Sequence, residues 1–434
     1  MISRIWSRSL FAGVAAAGAL AMSPAIAQDA PTVKVGVVAF YTGAAAGPFG
    51  IPARNGAELV INAINDGSLP APYNNKGAGG VAIEPVYVDE SGGTTKTVTD
   101  LRNMVQRQGV ESVVGYISSG SCLAAAPVAE ELKTFTILFD CGTPRIFEEN
   151  DYRYVFRTIS HSITDSVAAA RYVLADMKNV KSYQGINQNY AWGQDSWRDF
   201  QAAMQVLAPK ATDKDTLYPK LFQGQYDAEI SKLSVSKADV VHSSLWGGDV
   251  ESFILQAAAR GLNKQTKLVL TTGETAMFRL RGQMPDGLIL GGRGPYGVMA
   301  RDTELNRWFR KNYEDKYATP PTYPAYQMAQ AVLALKVAYD EAAKKSGGAK
   351  PTSEQAADAL VGKTYEAFGT TVKLALGKGH QAITEAAYGK FKYDKKTGTP
   401  TLVDVRYFPA ECVNPPEGVN SVDWIKGGMQ GAKC

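Results

Sequence analysis

The chain has 434 residues, 45% of them apolar, with 46 basic residues against 42 acidic ones and a formal net charge of +4. That length implies more than one domain-sized unit with ample core, and a near-balanced charge with no basic run longer than two residues argues against a nucleic-acid-binding face. Four cysteines and three histidines leave little raw material for metal or nucleophilic chemistry.

The first 27 residues read as a secretory leader. Arg4 and Arg8 precede an apolar run, Leu10 to Met22, that is too short to span a bilayer, and Ala25-Ile26-Ala27 supplies the small-x-small cleavage pattern. Cleavage would leave 44 bases against 42 acids, a net charge near +2. No cysteine follows the cleavage point, so export without a lipid anchor is expected. In an oxidising compartment the even cysteine count predicts disulfides. Cys412 and Cys434 flank a Pro/Gly-rich tail and form the favoured pair; Cys122 with Cys141 is less favoured, because both follow strands at an expected crevice.

Strand and helix patterns then alternate. "VKVGVVAF" (33–40) reads as a buried strand and 51–66 as a helix, with a turn-rich surface loop at 66–80. "VAIEPVYVDE", "TKTVTDLRNMVQRQG", "ESVVGYI", a helix to Glu131 and "FTILFD" continue the βαβα rhythm, which argues for parallel strands with helices on both faces. After "DYRYVFRTIS" the alternation restarts as a second α/β unit of similar size, with a switch near Thr158. Two long helical patterns follow at 302–317 and 323–345, and then short antiparallel strand patterns from about Tyr365. The expected fold is α/β, with two Rossmann-like lobes joined by a chain that crosses more than twice.

Several stretches bear on chemistry. "VVGYISSGSCLAAAPVAEE" (113–131) breaks from a strand into small hydroxyl residues and a helix. It lacks the G-x-S-x-G elbow of a serine hydrolase, and His161, His242 and His380 read as structural or surface groups, so an exported hydrolase is disfavoured. An anion cradle of free amides and hydroxyls at a helix start fits better, with simple helix capping by Ser118, Ser119 and Ser121 as the alternative. "FDCGTPRIF" offers a second strand-end turn. "GRGPYG" (292–297) contains Pro295 and opens no helix, so it reads as a crossover loop and not a dinucleotide site. "GKT" (362–364) lacks a phosphate loop's upstream glycine, and no His/Cys/Asp grouping has metal-ligand spacing; neither cofactor nor metal is expected. Glu274, after a strand and a glycine turn, either projects into a cleft or is solvated. Trp192 and Trp246, each before a glycine after a strand, hint at a shared surface.

In their order, "VKVGVVAFYTGAAAGPFGIPARNGAELVINAIN", "ESVVGYISSGSCLAAAPVAEE", "VFRTISHSITDS", "NYAWGQDSW" and "TTGETAMF" resemble type I periplasmic solute-binding proteins, in the leucine/isoleucine/valine-binding branch that serves ABC importers. The resemblance covers nearly all of the chain beyond the leader. It implies a hinged clamp that closes on a small ligand and docks on a membrane permease, acting as a monomer in the periplasm, with lobes of 28–157 plus 293–360 and 158–292 plus 361–434. It assigns the ligand carboxylate to Ser119, Gly120, Ser121, Cys141 (through its backbone) and Thr143. An ammonium falls to Glu274, the aromatic walls to Trp192 and Trp246, and looser positions to Phe49 and Tyr323. Asp140-Cys141-Gly142-Thr143 stands where relatives often read Pro-Ala-Ala-Thr, and Trp192 where tyrosine is usual. Both departures make a larger, flatter ligand, an aromatic carboxylate or amide, the alternative to an amino acid or related small carboxylate, while Glu274 still argues for a cationic or hydrogen-bond-donating group on the ligand. A ligand-sensing module of the same fold is the remaining alternative.

Overall fold

A computed structural model describes Met1 and residues 31–434; the leader assigned to 1–27 falls outside the described residues except for Met1. Residues 31–434 form one unit built on two sheets. The first has at its centre five parallel strands in the order Val155–Arg157, Phe135–Leu138, Ser112–Gly115, Thr32–Ala39, Ala82–Asp89. The apolar runs of the first four are buried on both faces, as a parallel sheet covered by helices requires, while the edge strand Ala82–Asp89 is only partly buried. The long helix Tyr323–Lys345 packs on Ile51–Asp66 over one face, while Gly93–Gln108 packs with Ser119–Glu131. The second sheet runs Thr399–Phe408, Ala386–Asp394, Ile289–Gly291, Lys267–Leu270, Val240–Ser243, Ser182–Ile186, Thr212–Leu217. Its last five strands are parallel, and its first two form an antiparallel hairpin. The two-lobed α/β architecture expected from the alternation is present.

The chain passes between the sheets three times, after Arg157, after Gly291 and after Ile383. These crossings are laced together. Thr384 donates its N–H to Ser160 Oγ (2.8 Å), the two hydroxyls lie 2.9 Å apart, and Gln330 Nε2 on the long helix donates to Thr158 O (2.5 Å).

Three expectations need correction. Residues 361–434 do not all join the second lobe. Thr364–Glu366, Thr371–Leu376 and Gln381–Ile383 extend the first sheet, where Gln381 pairs with Arg157 and the hairpin covers what would otherwise be an open edge. Sequence periodicity marks a strand but does not say which sheet edge it joins. Cys122 and Cys141 are bonded, as are Cys412 and Cys434; the strand-end turns converge closely enough to bridge the former pair. The tail is also more ordered than its Pro/Gly content suggests. It folds into short helices Ala410–Val413 and Ser421–Lys426, and Trp424 and Ile425 sink into the second-lobe core.

Candidate functional site

Seven parallel strands, drawn from both sheets, aim their carboxyl ends at one gap, the usual ligand position in open α/β sheets. Each strand hands over to a loop whose first residues line or back that gap. From the first lobe come Phe49, Ile117, Ser119, Asp140 and Gly142; from the second, Tyr190, Trp192, Trp246 and Thr272; from the crossover and long helix, Arg293 and Tyr323. The lobes are closed, so the space left is about 10 Å³, room for a single water. Tyr190 also lines an adjoining chamber of about 490 Å³ with Phe40, Glu90, Ser118, Gly120, Ser121 and Phe222.

The aromatic walls are pinned by specific contacts. Trp192 Nε1 donates to Ser244 O (3.0 Å), and the Arg293 guanidinium carbon lies 4.5 Å from the Trp192 ring centroid, within cation–π range. Phe49 meets Trp246 edge-on at 5.1 Å and Tyr323 at 5.4 Å. Gly142 is dictated by this packing, since a Cβ there would fall 2.0 Å from Trp192 Cζ3.

The ten residues singled out from sequence separate into distinct positions. Phe49, Ser119, Trp192, Trp246 and Tyr323 line the gap, and Gly120 and Ser121 line the chamber beside it. Thr143 stands behind the gap and ties the lobes. Its hydroxyl donates to Asp195 Oδ2 (2.6 Å) on the second-lobe helix Ala191–Leu207, and its N–H donates to Ser119 Oγ (3.2 Å). Cys141 is in its disulfide, and its carbonyl accepts from the buried Arg157 guanidinium (2.7 Å).

Glu274 does not line the gap. It is fully buried; Oε2 accepts the Tyr323 N–H (2.9 Å) and Oε1 has no partner. Burial pushes its carboxyl up to about 8, only partly offset by the Tyr323 N–H. The folded chain therefore holds a proton that the unfolded chain has lost above about pH 4.5, so Glu274 makes stability fall as pH climbs from about 4.5 to about 8. Glu274→Gln is expected to match the parent at pH 5 and to gain on it by pH 9 in urea unfolding; a constant difference across that range would count against a buried, proton-holding Glu274.

Sequence reasoning missed the charged centre of the site. Arg293 Nη1 donates to Asp140 Oδ1 and to Asp140 O, and Nε donates to Asp165 Oδ2 (3.1 Å), so one buried guanidinium on the second crossing joins an acid of each lobe. Burial raises both acids, Asp140 to about 7 and Asp165 to about 6, and the Arg293 charge pulls each back. The signal for Arg293 is its place just after strand Ile289–Gly291, in the stretch "GRGPYG" that is indeed a crossover loop. Glu90 was missed although it follows a strand as Glu274 does. The three histidines are buried: His242 stacks on Phe200 with its pKa pushed down to about 3, and His380 stacks on Phe156. Among the described residues, no group of three or more His, Cys, Asp or Glu could hold a metal, and no helix is long and apolar enough to cross a membrane.

Residues 32–398 match the family model described as periplasmic binding protein. The chain belongs to that family.

Similar solved structures of these binding proteins agree on the fold. A solute-binding protein of an ABC transporter from Rhodopseudomonas palustris BisB5, in complex with 3,4-dihydroxybenzoic acid, superposes with a TM-score of 0.75 at 20% identity, over 87% of this chain and 98% of that one. A second from R. palustris, in complex with benzoate, gives 0.73 at 20% over 86% and 96%. The leucine-binding protein LivK of Thermotoga maritima gives 0.72 at 17% over 86% and 98%. No curated protein sequence matches the chain significantly.

Proposed function

We propose that this periplasmic binding protein is the extracytoplasmic substrate-binding component of an ABC importer. It captures an amino acid or related small carboxylate between its lobes and delivers it unchanged to a membrane permease. The carrying observation is the gap itself. Free amides and hydroxyls at the start of helix Ser119–Glu131 face aromatic walls from the opposite lobe, across a set of three crossings built to hinge. The leader read in residues 1–27 would bring the chain to the periplasm.

Within that class an aromatic carboxylate is the favoured ligand. Trp192, Trp246, Phe49, Tyr190 and Tyr323 supply flat apolar walls, while Glu274, the acid assigned to an ammonium, is turned away into the protein. Two of the similar structures hold benzoates, and one is named for leucine.

Thermal shift with leucine, valine, benzoate, 4-hydroxybenzoate and benzamide tests the reading. A true ligand at a hundredfold its Kd adds about 2.7 kcal/mol by mass action. Benzoates are expected to raise Tm more than leucine does, and benzamide to give no shift. Stabilisation by no carboxylate, together with turnover of an ester or amide, would overturn it.

A further inference from the structure

Glu90 follows strand Ala82–Asp89 and is 3% exposed. Its two oxygens accept the adjacent backbone N–H groups of Ile117 (2.8 Å, to Oε2) and Ser118 (2.9 Å, to Oε1). Those residues open the hydroxyl loop, and the residue before them, Tyr116, is held at φ 70°, a left-handed conformation that a tyrosine adopts only under constraint. Ile117 lines the narrow gap, while Ser118 and Glu90 itself line the adjoining chamber, so the clamp lies directly behind the surface that would meet a ligand. No cation within salt-bridge distance balances Glu90 among the described residues. The titratable groups facing it are Tyr41, Tyr116, Tyr190 and Asp140, with the Ser121 hydroxyl alongside, and the nearest guanidinium of the site, Arg293, is already committed to Asp140 and Asp165.

Resting on the carboxylate-binding reading, we propose that Glu90 is a positioning residue of the cleft: it shapes the loop 116–118 through its two amide contacts, and a carboxylate ligand is accepted there only while Glu90 is uncharged. The physical reason is Coulombic. An anion drawn to the amides at the start of helix Ser119–Glu131 would sit beside a second, buried anion with no counter-charge, and the low local dielectric makes that repulsion costly. In the neutral form the carboxyl oxygens still accept from Ile117 and Ser118, and the acid proton has the Ser121 hydroxyl within its surroundings as an acceptor. Burial already pushes Glu90 up to about 8, against the opposing effect of the Ser118 and Ile117 amides. The cleft is therefore ready for an anion below that pH and resists one above it. Binding above it takes up one proton.

Two measurements decide the point. In the ligand-free protein, the Glu90 side-chain carboxyl followed by carbon-13 NMR is expected to titrate above pH 7; a midpoint near the ordinary glutamate value of 4.5 overturns the proposal. With benzoate as probe, calorimetric Kd values from pH 6 to 9.5 are expected to be flat below pH 8 and to weaken about tenfold per pH unit above it, with the proton uptake read from buffers of different ionisation heat. Glu90→Gln, whose side chain cannot ionise, is expected to lose that slope. A parent affinity independent of pH, or the same slope in the variant, overturns the proposal. If benzoate binds at no pH, the ligand reading fails separately and the carbon-13 titration alone decides the role of Glu90.

Discussion

An Arg293→Met protein is expected to be about 3–5 kcal/mol less stable than the parent at pH 8, because breaking a buried ion network from one side strands the remaining charges. Arg293 is 5% exposed and is the shared partner of Asp140 in one lobe and Asp165 in the other. Methionine fills much of the same volume but leaves both carboxylates without a counter-charge. The deficit depends on pH, and its sign follows from the titrations. Both acids are raised in the folded parent, to about 7 and about 6, so each lowers stability as pH rises from the unfolded value of 3.8 through those figures. Removing the guanidinium raises them further and extends the loss to higher pH. Urea unfolding followed by tryptophan fluorescence should therefore show a small difference at pH 5 and the full one at pH 8. Adding Asp140→Asn to Arg293→Met should recover part of the loss, since the pair is in direct contact and its effects are not additive. Equal stability of parent and Arg293→Met at pH 8 would mean that the three groups carry no buried charge.

Trp192→Ala is expected to weaken binding of the panel's best carboxylate by about 2–4 kcal/mol, roughly 30- to 1000-fold. Aromatic anchors in desolvated pockets dominate affinity in this way, and this ring forms a wall of the gap from the second lobe. Gly142→Val approaches the same site from the opposite lobe. A Cβ at 142 would lie 2.0 Å from Trp192 Cζ3 and 2.9 Å from Arg293 Nη2, so the ring must move. Calorimetry should show a comparable affinity loss for both variants, with thermal melting confirming that each remains folded. Affinity within twofold of the parent in both folded variants would remove Trp192 from the binding surface.

The two α/β units, the switch near Thr158 and the hydroxyl loop after strand Ser112–Gly115 were all legible, because they depend on local periodicity and turn chemistry that act over a few residues. The candidate site was legible only in part. Ser119, Trp192 and Trp246 stand at strand ends, and strand ends converge in any parallel sheet, so position alone marks them. Thr143 obeys the same rule, yet its hydroxyl is spent on Asp195, a partner 52 residues away that no spacing announces. Glu274 and Glu90 present the same local signal, an acid after a strand, yet only Glu90 opens on the chamber. Glu274 is instead packed against Gly297, where a Cβ would lie 1.9 Å from its Oε1.

What the sequence by itself determined was the order and kind of the elements, since an apolar alternation admits few alternatives once helix and strand periods are distinct. Tertiary structure alone decided which sheet received residues 364–383, that Cys122 would meet Cys141, and that Arg293 would serve as the bridge between lobes. Those outcomes depend on pairings across 19 to 224 positions of chain, from Cys122 with Cys141 to Arg157 with Gln381. Edge hydrogen bonds, charge compensation and sulfur proximity exist only after the chain has closed on itself, and nothing in a local window encodes them.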